Sequence, residues 1–115
     1  MAQLEIQERQ AGDVTILDME GRIAIGEGST ALRTAIRRLS QEGKKKILLN
    51  LEKVGNMDST GLGELIASYT TMSRDGGQLK LLHLTGKLQD LLVITKLLTV
   101  FDVYESESDA LGSFQ

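Results

Sequence analysis

The amino-acid sequence predicts an α/β protein with a mixed, mostly parallel sheet and an N-terminal β-hairpin. Segments of strand-like and helical pattern alternate along most of the chain, and this alternation is typical of right-handed crossovers between parallel strands. Residues 47–51 are almost continuously apolar, as expected for a strand covered on both faces. The turn signal Gly12-Asp13 separates the first two strand-like segments and predicts the hairpin.

The individual elements are predicted from hydrophobic period and from the residues that break it. Apolar residues spaced i, i+3, i+4 and i+7 indicate helices, whereas alternating or continuous apolar runs indicate strands. Gly21 and Arg22 interrupt the second strand, so residues 23–25 are a short third strand or an irregular continuation. In chain order we predict strands at 4–10 and 14–20, the segment 23–25, a helix around 32–39, a strand at 47–51, a helix at 59–72, a strand at 79–84, a helix at 87–98, an edge strand at 103–104 and a helix at 107–114.

Polar residues and glycines mark the predicted helix ends. Ser29 or Thr30 can cap the first helix, and Gly43 follows its end, where a left-handed residue is favoured. Asp58 is expected to cap the second helix, because its carboxylate can accept a first-turn N–H and complement the helix dipole. The second helix is predicted to end at Asp75-Gly76-Gly77.

Length and composition limit the classes of protein that the chain can represent. With 115 residues and 12.6 kDa it is predicted to form one domain over residues 1–115, which can bury a core without covalent staples. It has no cysteine, so it forms neither disulfides nor thiolate metal sites. No cluster of histidine and carboxylate residues has metal-ligand spacing, and we expect no cofactor and no metal ion.

Charge and hydropathy argue against nucleic acids and membranes as partners. The 13 basic and 16 acidic residues give a net charge of −3 and a pI near 5.1, unlike a protein with a basic face for phosphates. The four aromatic residues are too few for a base-stacking platform. No apolar run approaches the length of a membrane span and the N-terminus lacks a signal-peptide pattern, so a cytoplasmic location is expected.

The leading candidate for a functional site is the junction between the central strand and the second helix, Met57-Asp58-Ser59-Thr60-Gly61-Leu62-Gly63. Sites in open α/β sheets gather where the carboxyl ends of strands lead into helices. Ser59 and Thr60 are expected in the first turn with their hydroxyls near the surface. Gly61 and Gly63 each cost about 1 kcal/mol relative to alanine. They indicate a close approach by another backbone, from either a partner or the sheet.

A second motif, Gly26-Glu27-Gly28-Ser29-Thr30-Ala31, fits the pattern G-x-G-x-x-A of dinucleotide-binding turns. It follows the segment 23–25 and opens a helix, and Glu52 ends the next predicted strand about 20 residues further on, as the fingerprint requires. A nucleotide-binding protein that uses this loop is therefore the alternative function from a different class.

The residues favour a binding module over an enzyme, and no catalytic residue is predicted. Residues 57–61 are similar to a nucleophile elbow, but Met57 replaces its first glycine. His83 is the single histidine and falls in a predicted strand, which is more typical of a structural residue than of a base. No lysine follows Gly61, as a phosphate-binding loop would need.

The junction motif at residues 57–63, preceded by Leu48-Leu49-Asn50-Leu51, resembles the STAS family and, more narrowly, the bacterial anti-sigma factor antagonists. The resemblance extends over nearly the whole chain, including Gly76-Gly77 before a strand and residues 97–101 near the end. It implies the STAS fold, a mixed sheet with about four helices packed mainly on one face.

The resemblance also implies a mechanism of partner switching. The unphosphorylated protein would bind an anti-sigma factor that is also a serine protein kinase, which frees a sigma factor. Phosphorylation would end the binding, and a serine phosphatase would restore it. By position the phosphorylated residue is Ser59, with Thr60 as the second candidate. The implied partner-binding residues are Asn56, Met57, Asp58, Ser59, Thr60, Gly61, Leu62 and Gly63.

Two considerations affect whether the family's partner-switching mechanism applies to this chain. Arg22 stands where many relatives have an acidic residue, in the loop beside the phosphorylation site, and this departure affects the identity of the partner. A STAS module that scaffolds another complex without phosphorylation is the further alternative. We expect a monomer or a weak dimer.

The third predicted helix is apolar almost all round, at Leu88, Leu91, Leu92, Val93, Ile94, Leu97 and Leu98. A helix on one face of a sheet needs to bury only a stripe of roughly 100°. The favoured interpretation is that Val93 and Ile94 are buried against the neighbouring helix and residues 101–104. The alternative is that at least one of them stays exposed and contributes to partner docking.

Overall fold

The computed structural model describes residues 3–114, which form five strands and four helices. The elements are β1 (Leu4–Ala11), β2 (Val14–Ile23), α1 (Glu27–Gln41), β3 (Lys46–Met57), α2 (Ser59–Arg74), β4 (Gln78–Leu82), α3 (Gly86–Ile94), β5 (Val103–Tyr104) and α4 (Glu107–Ser113). Their alternation follows the order that the hydrophobic pattern predicts, including the short edge strand and the final short helix.

The strands form one sheet in the order β1-β2-β3-β4-β5, in which β1 pairs with β2 antiparallel and the other pairs are parallel. Gly12 adopts φ +63° in the turn between β1 and β2, a left-handed conformation that glycine enters at no steric cost. The predicted mixed sheet with an N-terminal hairpin is confirmed. Because β2 to β5 run parallel, their carboxyl ends lie at one edge of the sheet, and the candidate site lies there.

Each face of the sheet buries its own apolar cluster. Successive residues of a strand point to opposite faces, so Leu49 packs in the larger cluster and Leu48 in the smaller one. The larger cluster is closed by α1, α2 and α3, and the smaller one includes Ala110 of α4. The predicted packing of the helices mainly on one face is therefore confirmed.

Strands β2 and β3 continue past the residues that were expected to end them. The register of this parallel pair shifts between Gly21 and Arg22, yet pairing resumes through Ile23 and Met57. The segment 23–25 is thus the irregular end of β2 and a loop, and the interpretation as a third strand is wrong. β3 has 12 residues and does not stop near Leu51, because its second half keeps pairing with β2 after β4 has ended.

The beginning of α1 differs from the prediction. The helix starts at Glu27 with Gly26 as its N-cap, so neither Ser29 nor Thr30 caps it. Gly26 has φ +96°, a conformation that glycine alone adopts readily, and this lets the chain turn sharply from β2 into the helix. The other end agrees with the prediction, since Gly43 follows the helix with φ +78°.

Two later elements are shorter than predicted. β4 ends at Leu82, and His83 follows with φ +57°, so the placement of His83 inside a strand is wrong. α3 ends at Ile94 instead of Leu98, and Lys96 adopts φ +61° just beyond the helix. In both cases a non-glycine residue enters the left-handed region, which the hydrophobic pattern does not signal.

Candidate functional site

Asp58 joins the start of α2 to the loop that follows β2. Its backbone is extended, and its Oδ1 accepts a hydrogen bond of 2.8 Å from the Gly61 N–H. Its Oδ2 accepts a second bond of 2.8 Å from the Ile25 N–H. These donors, Ile25 first and then Gly61, hold the pKa of Asp58 below its usual range because they stabilise the charged carboxylate. The predicted helix cap is confirmed, and the same side chain also fixes residues 24–26 to the helix.

Ser59 and Thr60 form the exposed beginning of α2. Within residues 3–114 neither hydroxyl makes a side-chain hydrogen bond, because the carboxylate of Asp58 already caps the helix. Both hydroxyls are therefore accessible from solvent and have no part in holding the fold. A group transferred to either oxygen would meet the positive end of the helix dipole.

The predicted partner-binding residues divide into an exposed and a buried set. Ser59, Thr60 and Gly63 are exposed, and Asn56 and Asp58 are half-buried. The other three serve the packing of the fold: Met57, Gly61 and Leu62 are buried, and the two larger side chains belong to the main apolar cluster. A partner that approaches this junction meets the first set.

Gly61 and Gly63 are two residues apart but have different surroundings. A Cβ built on Gly61 would overlap the carbonyl oxygen of Ile23, so this glycine lets α2 pack directly on the end of β2. A Cβ on Gly63 would meet nothing within 4 Å, and the residue is exposed. The sequence indicated a close backbone approach at both glycines. At Gly61 the approaching backbone belongs to the protein's own strand β2, whereas at Gly63 no described residue comes close.

Ile25 is a residue of this surface that the sequence analysis did not identify. Its side chain is 69% exposed, and its N–H donates to Asp58 directly before Ser59. Arg22 is also exposed and lies opposite Asn56 in the ladder between β2 and β3. We define the rim as the five exposed residues of this surface together with the half-buried Asn56: Arg22, Ile25, Asn56, Ser59, Thr60 and Gly63. The sequence did contain a signal for this residue, because Ile25 is an apolar residue directly before Gly26-Glu27-Gly28. The signal was missed because residues 23–25 were interpreted as part of a strand.

The alternative nucleotide loop at residues 26–31 has its helix N–H groups already bonded. The N–H of Gly28 donates to Gln3 Oε1 at 2.5 Å, and those of Ser29 and Thr30 donate to backbone oxygens. A Cβ on Gly28 would overlap the Arg22 carbonyl oxygen, so this glycine accommodates the protein's own backbone. Glu52 lies in the middle of β3 and not at its end. These features weigh against a phosphate-binding turn.

Other parts of the described chain were examined for a ligand cleft, a metal site and a membrane-spanning helix. His83 lines a cleft of about 310 Å³ with Glu52, Thr85 and Glu105, where the Thr85 hydroxyl already donates to the Val54 carbonyl. Within residues 3–114, no group of three or more histidine, cysteine or acidic residues is placed to hold a metal ion. In the same range, every helix is too short or too polar to cross a membrane.

Val93 and Ile94, at the end of α3, are both exposed, by 53% and 78%. The helix buries Leu88 and Leu92 on the sheet. The favoured interpretation of burial is therefore wrong, because Leu88 and Leu92 form the packed stripe and the next two residues turn away from it around the helix. Their contribution to partner docking stays a prediction.

The fold and the site define a small α/β domain that presents a free serine hydroxyl at a capped helix start, beside an exposed loop. The family model of the STAS domain matches residues 5–110, and the chain belongs to this family. Over 99 residues, 86% of this chain and 81% of the relative, it is 29% identical to the anti-sigma-B factor antagonist of Bacillus subtilis.

Solved structures share the architecture. A Thermotoga maritima protein described as an anti-sigma factor antagonist superposes with a TM-score of 0.88 at 24% identity, over 95% of this chain and 93% of that one. The Bacillus cell fate determinant SpoIIAA, in its phosphorylated form, gives a TM-score of 0.73 at 17% identity, over 94% and 97% of the two chains. At these identities the likeness concerns the fold.

Proposed function

We propose that this chain is an anti-sigma factor antagonist, a binding module and not an enzyme, whose binding is switched off by phosphorylation of Ser59. The name of the Bacillus subtilis relative supports the first part of this proposal. The observation that carries the second part is the exposed Ser59 hydroxyl, which stands directly after the cap and bonds to nothing in residues 3–114.

Because Ser59 lies at a helix N-terminus, its phosphorylation should have little effect on the stability of the fold. A phosphate adds about −1.5 to −2 charges at neutral pH. At a helix N-terminus this charge is stabilised, by about 0.3–1 kcal/mol at an exposed site. The bonds that Asp58 makes to Gly61 and Ile25 involve no atom of the Ser59 side chain, so phosphorylation leaves them intact.

The same phosphate should strongly weaken the binding of a partner to the rim. A partner that covers the rim packs against Ile25 and the open surface of Gly63. A phosphate on Ser59 adds bulk to this surface, must lose its hydration on contact, and places a second negative charge beside the carboxylate of Asp58. One modification therefore blocks the interface without unfolding the domain.

The proposed partner is an anti-sigma factor with serine kinase activity, and a serine phosphatase would reverse the modification. The test uses a purified cognate anti-sigma factor kinase, with ATP. We expect phosphate transfer to the wild type and to Thr60→Ala, and none to Ser59→Ala. Ser59→Ala should change the free energy of unfolding by less than about 0.5 kcal/mol and should bind the partner whether or not ATP is present.

Two results would contradict this proposal. Transfer to Ser59→Ala at the wild-type extent would assign the modification elsewhere, with Thr60 tested first. Binding of an unrelated partner at equal strength by unmodified and phosphorylated protein would favour a STAS scaffold that is not regulated in this way.

A further inference from the structure

Arg22 carries a positive charge on the rim that takes part in no ion pair among the described residues. Arg9, Arg33 and Arg38 each form an ion pair with a carboxylate. Within residues 3–114, no carboxylate lies within ion-pair distance of the Arg22 guanidinium, although the residue is exposed.

Two carboxylates close to the rim accept hydrogen bonds from backbone amides. Glu27, in the first turn of α1, accepts a 2.5 Å hydrogen bond from the Gln3 N–H. Asp58 accepts from Ile25 and Gly61. Both carboxylates keep their negative charge, but neither forms an ion pair with Arg22 within residues 3–114.

The strand register brings Arg22 close to the start of α2. Arg22 pairs with Asn56 across the β2–β3 ladder, where neighbouring strands are about 4.8 Å apart. Ser59 follows Asn56 by three residues, a span of at most about 11 Å of extended chain. The loop after Arg22 returns to the same place, since the Ile25 N–H binds Asp58. The exposed side chains of Arg22 and Ser59 therefore share one rim.

We infer that Arg22 is the counter-charge of the phosphate on Ser59. This inference rests on the proposed function and adds how the modified site is arranged. Before phosphorylation the guanidinium is free to meet an incoming partner. After phosphorylation it is attracted to the phosphate, which exceeds it in charge. Phosphorylation then makes the rim more negative and engages its positive charge, in addition to adding bulk.

The test places phosphoserine at position 59 during synthesis by genetic code expansion, so that it does not depend on any kinase. The second pKa of the phosphate is followed by phosphorus NMR in the wild type, Arg22→Gln, Arg22→Lys and Arg74→Gln. Arg74 is the matched control, because it is exposed, lies at the opposite end of α2 and is not ion-paired within residues 3–114.

We expect Arg22→Gln to raise this pKa by about 0.3 unit or more, since the dianion loses a nearby cation. Arg22→Lys should retain most of the wild-type value, Arg74→Gln should match the wild type, and about 1 M salt should shrink the difference. Equal pKa values in wild type and Arg22→Gln would overturn the inference. So would a control shift as large as that of Arg22→Gln, or a lysine variant that behaves like the glutamine variant. Failure of a kinase to modify Ser59 would instead overturn the proposed function.

Discussion

At the scale of single residues, Gly61 and Gly63 show how identical residues acquire different roles. Helix propensity treats them alike, at about 1 kcal/mol each relative to alanine. What separates them is the Ile23 carbonyl oxygen, which occupies the space of a Cβ at Gly61 and leaves Gly63 open. This contact joins residues 38 positions apart, so no local pattern in the sequence can reveal which glycine it requires.

The two glycines therefore make a matched pair of variants. Gly61→Ala should lower the free energy of unfolding by about 2 kcal/mol or more, because α2 must move away from the β2 backbone. Gly63→Ala should raise it by about 0.5–1 kcal/mol through helix propensity, with nothing displaced. Urea unfolding at neutral pH measures both. Similar losses at the two positions would contradict the packing role of Gly61.

At the scale of elements, α3 divides its apolar residues between a buried and an exposed surface. Leu92 is buried on the sheet, whereas Val93 and Ile94 are exposed immediately after it. We expect Leu92→Ser to lower the free energy of unfolding by about 3 kcal/mol. Val93→Ser and Ile94→Ser should each change it by less than about 0.5 kcal/mol. Urea titrations of the three proteins give this comparison.

Partner affinity then decides what the exposed end of α3 does. If Val93 or Ile94 contributes to docking, its serine variant binds the anti-sigma factor more weakly while the fold keeps its stability. Normal binding by both variants would end the docking hypothesis. Loss of stability at Val93 and Ile94 equal to that at Leu92 would contradict the exposure described here.

The elements also show where sequence patterns stop being informative. The hairpin, the helix cap at Asp58 and the alternation of strands with helices were predicted because each depends on local turn chemistry or on hydrophobic period. The second half of β3 was missed, since it exposes Glu52 and Lys53 and is held by pairing with β2. The helix start at Gly26 was missed because the cap is a backbone conformation with φ +96° and no side-chain bond.

At the scale of the whole molecule, the second face of the sheet is closed by polar anchors that the sequence did not indicate. Lys80 is only 5% exposed, and its Nζ donates to the carbonyl and hydroxyl oxygens of Ser113, both at 3.0 Å. The ring of Phe114 lies 5.0 Å from the same nitrogen. At the other end of α4, Arg9 binds Glu107. The sequence gives no sign of these contacts because the partners come from distant segments. A lysine in a strand is ordinarily expected to point into solvent.

Several carboxylates link the stability of the whole molecule to pH. Arg9 lowers the pKa of both Asp18 and Glu107 through hydrogen bonds, and the Ile25 N–H leads the donors that lower that of Asp58. A carboxyl group whose pKa is lower in the folded state stabilises the protein above its unfolded pKa. This stabilisation is lost as the pH falls through the folded value.

We therefore expect the urea midpoint to be unchanged by these groups between pH 7 and pH 5 and to fall below about pH 4. The double variant Asp18→Asn, Glu107→Gln should show a shallower decline, because two of the contributing carboxylates are gone. An equally steep decline in this variant, or a midpoint that rises on acidification, would contradict the assignment.

The bonds of Gln3 have a practical consequence for measuring any interaction of this domain. Its carbonyl accepts from the Arg22 N–H at 2.9 Å and its side chain accepts from Gly28, so the first described residue lies against the rim. Ser113, near the last described residue, lies instead on Lys80 across the second face. A purification handle or fluorophore attached ahead of Gln3 is therefore joined to the chain beside the rim, and we expect it to hinder a partner that docks there. Immobilisation through the carboxyl terminus keeps that surface turned toward the analyte.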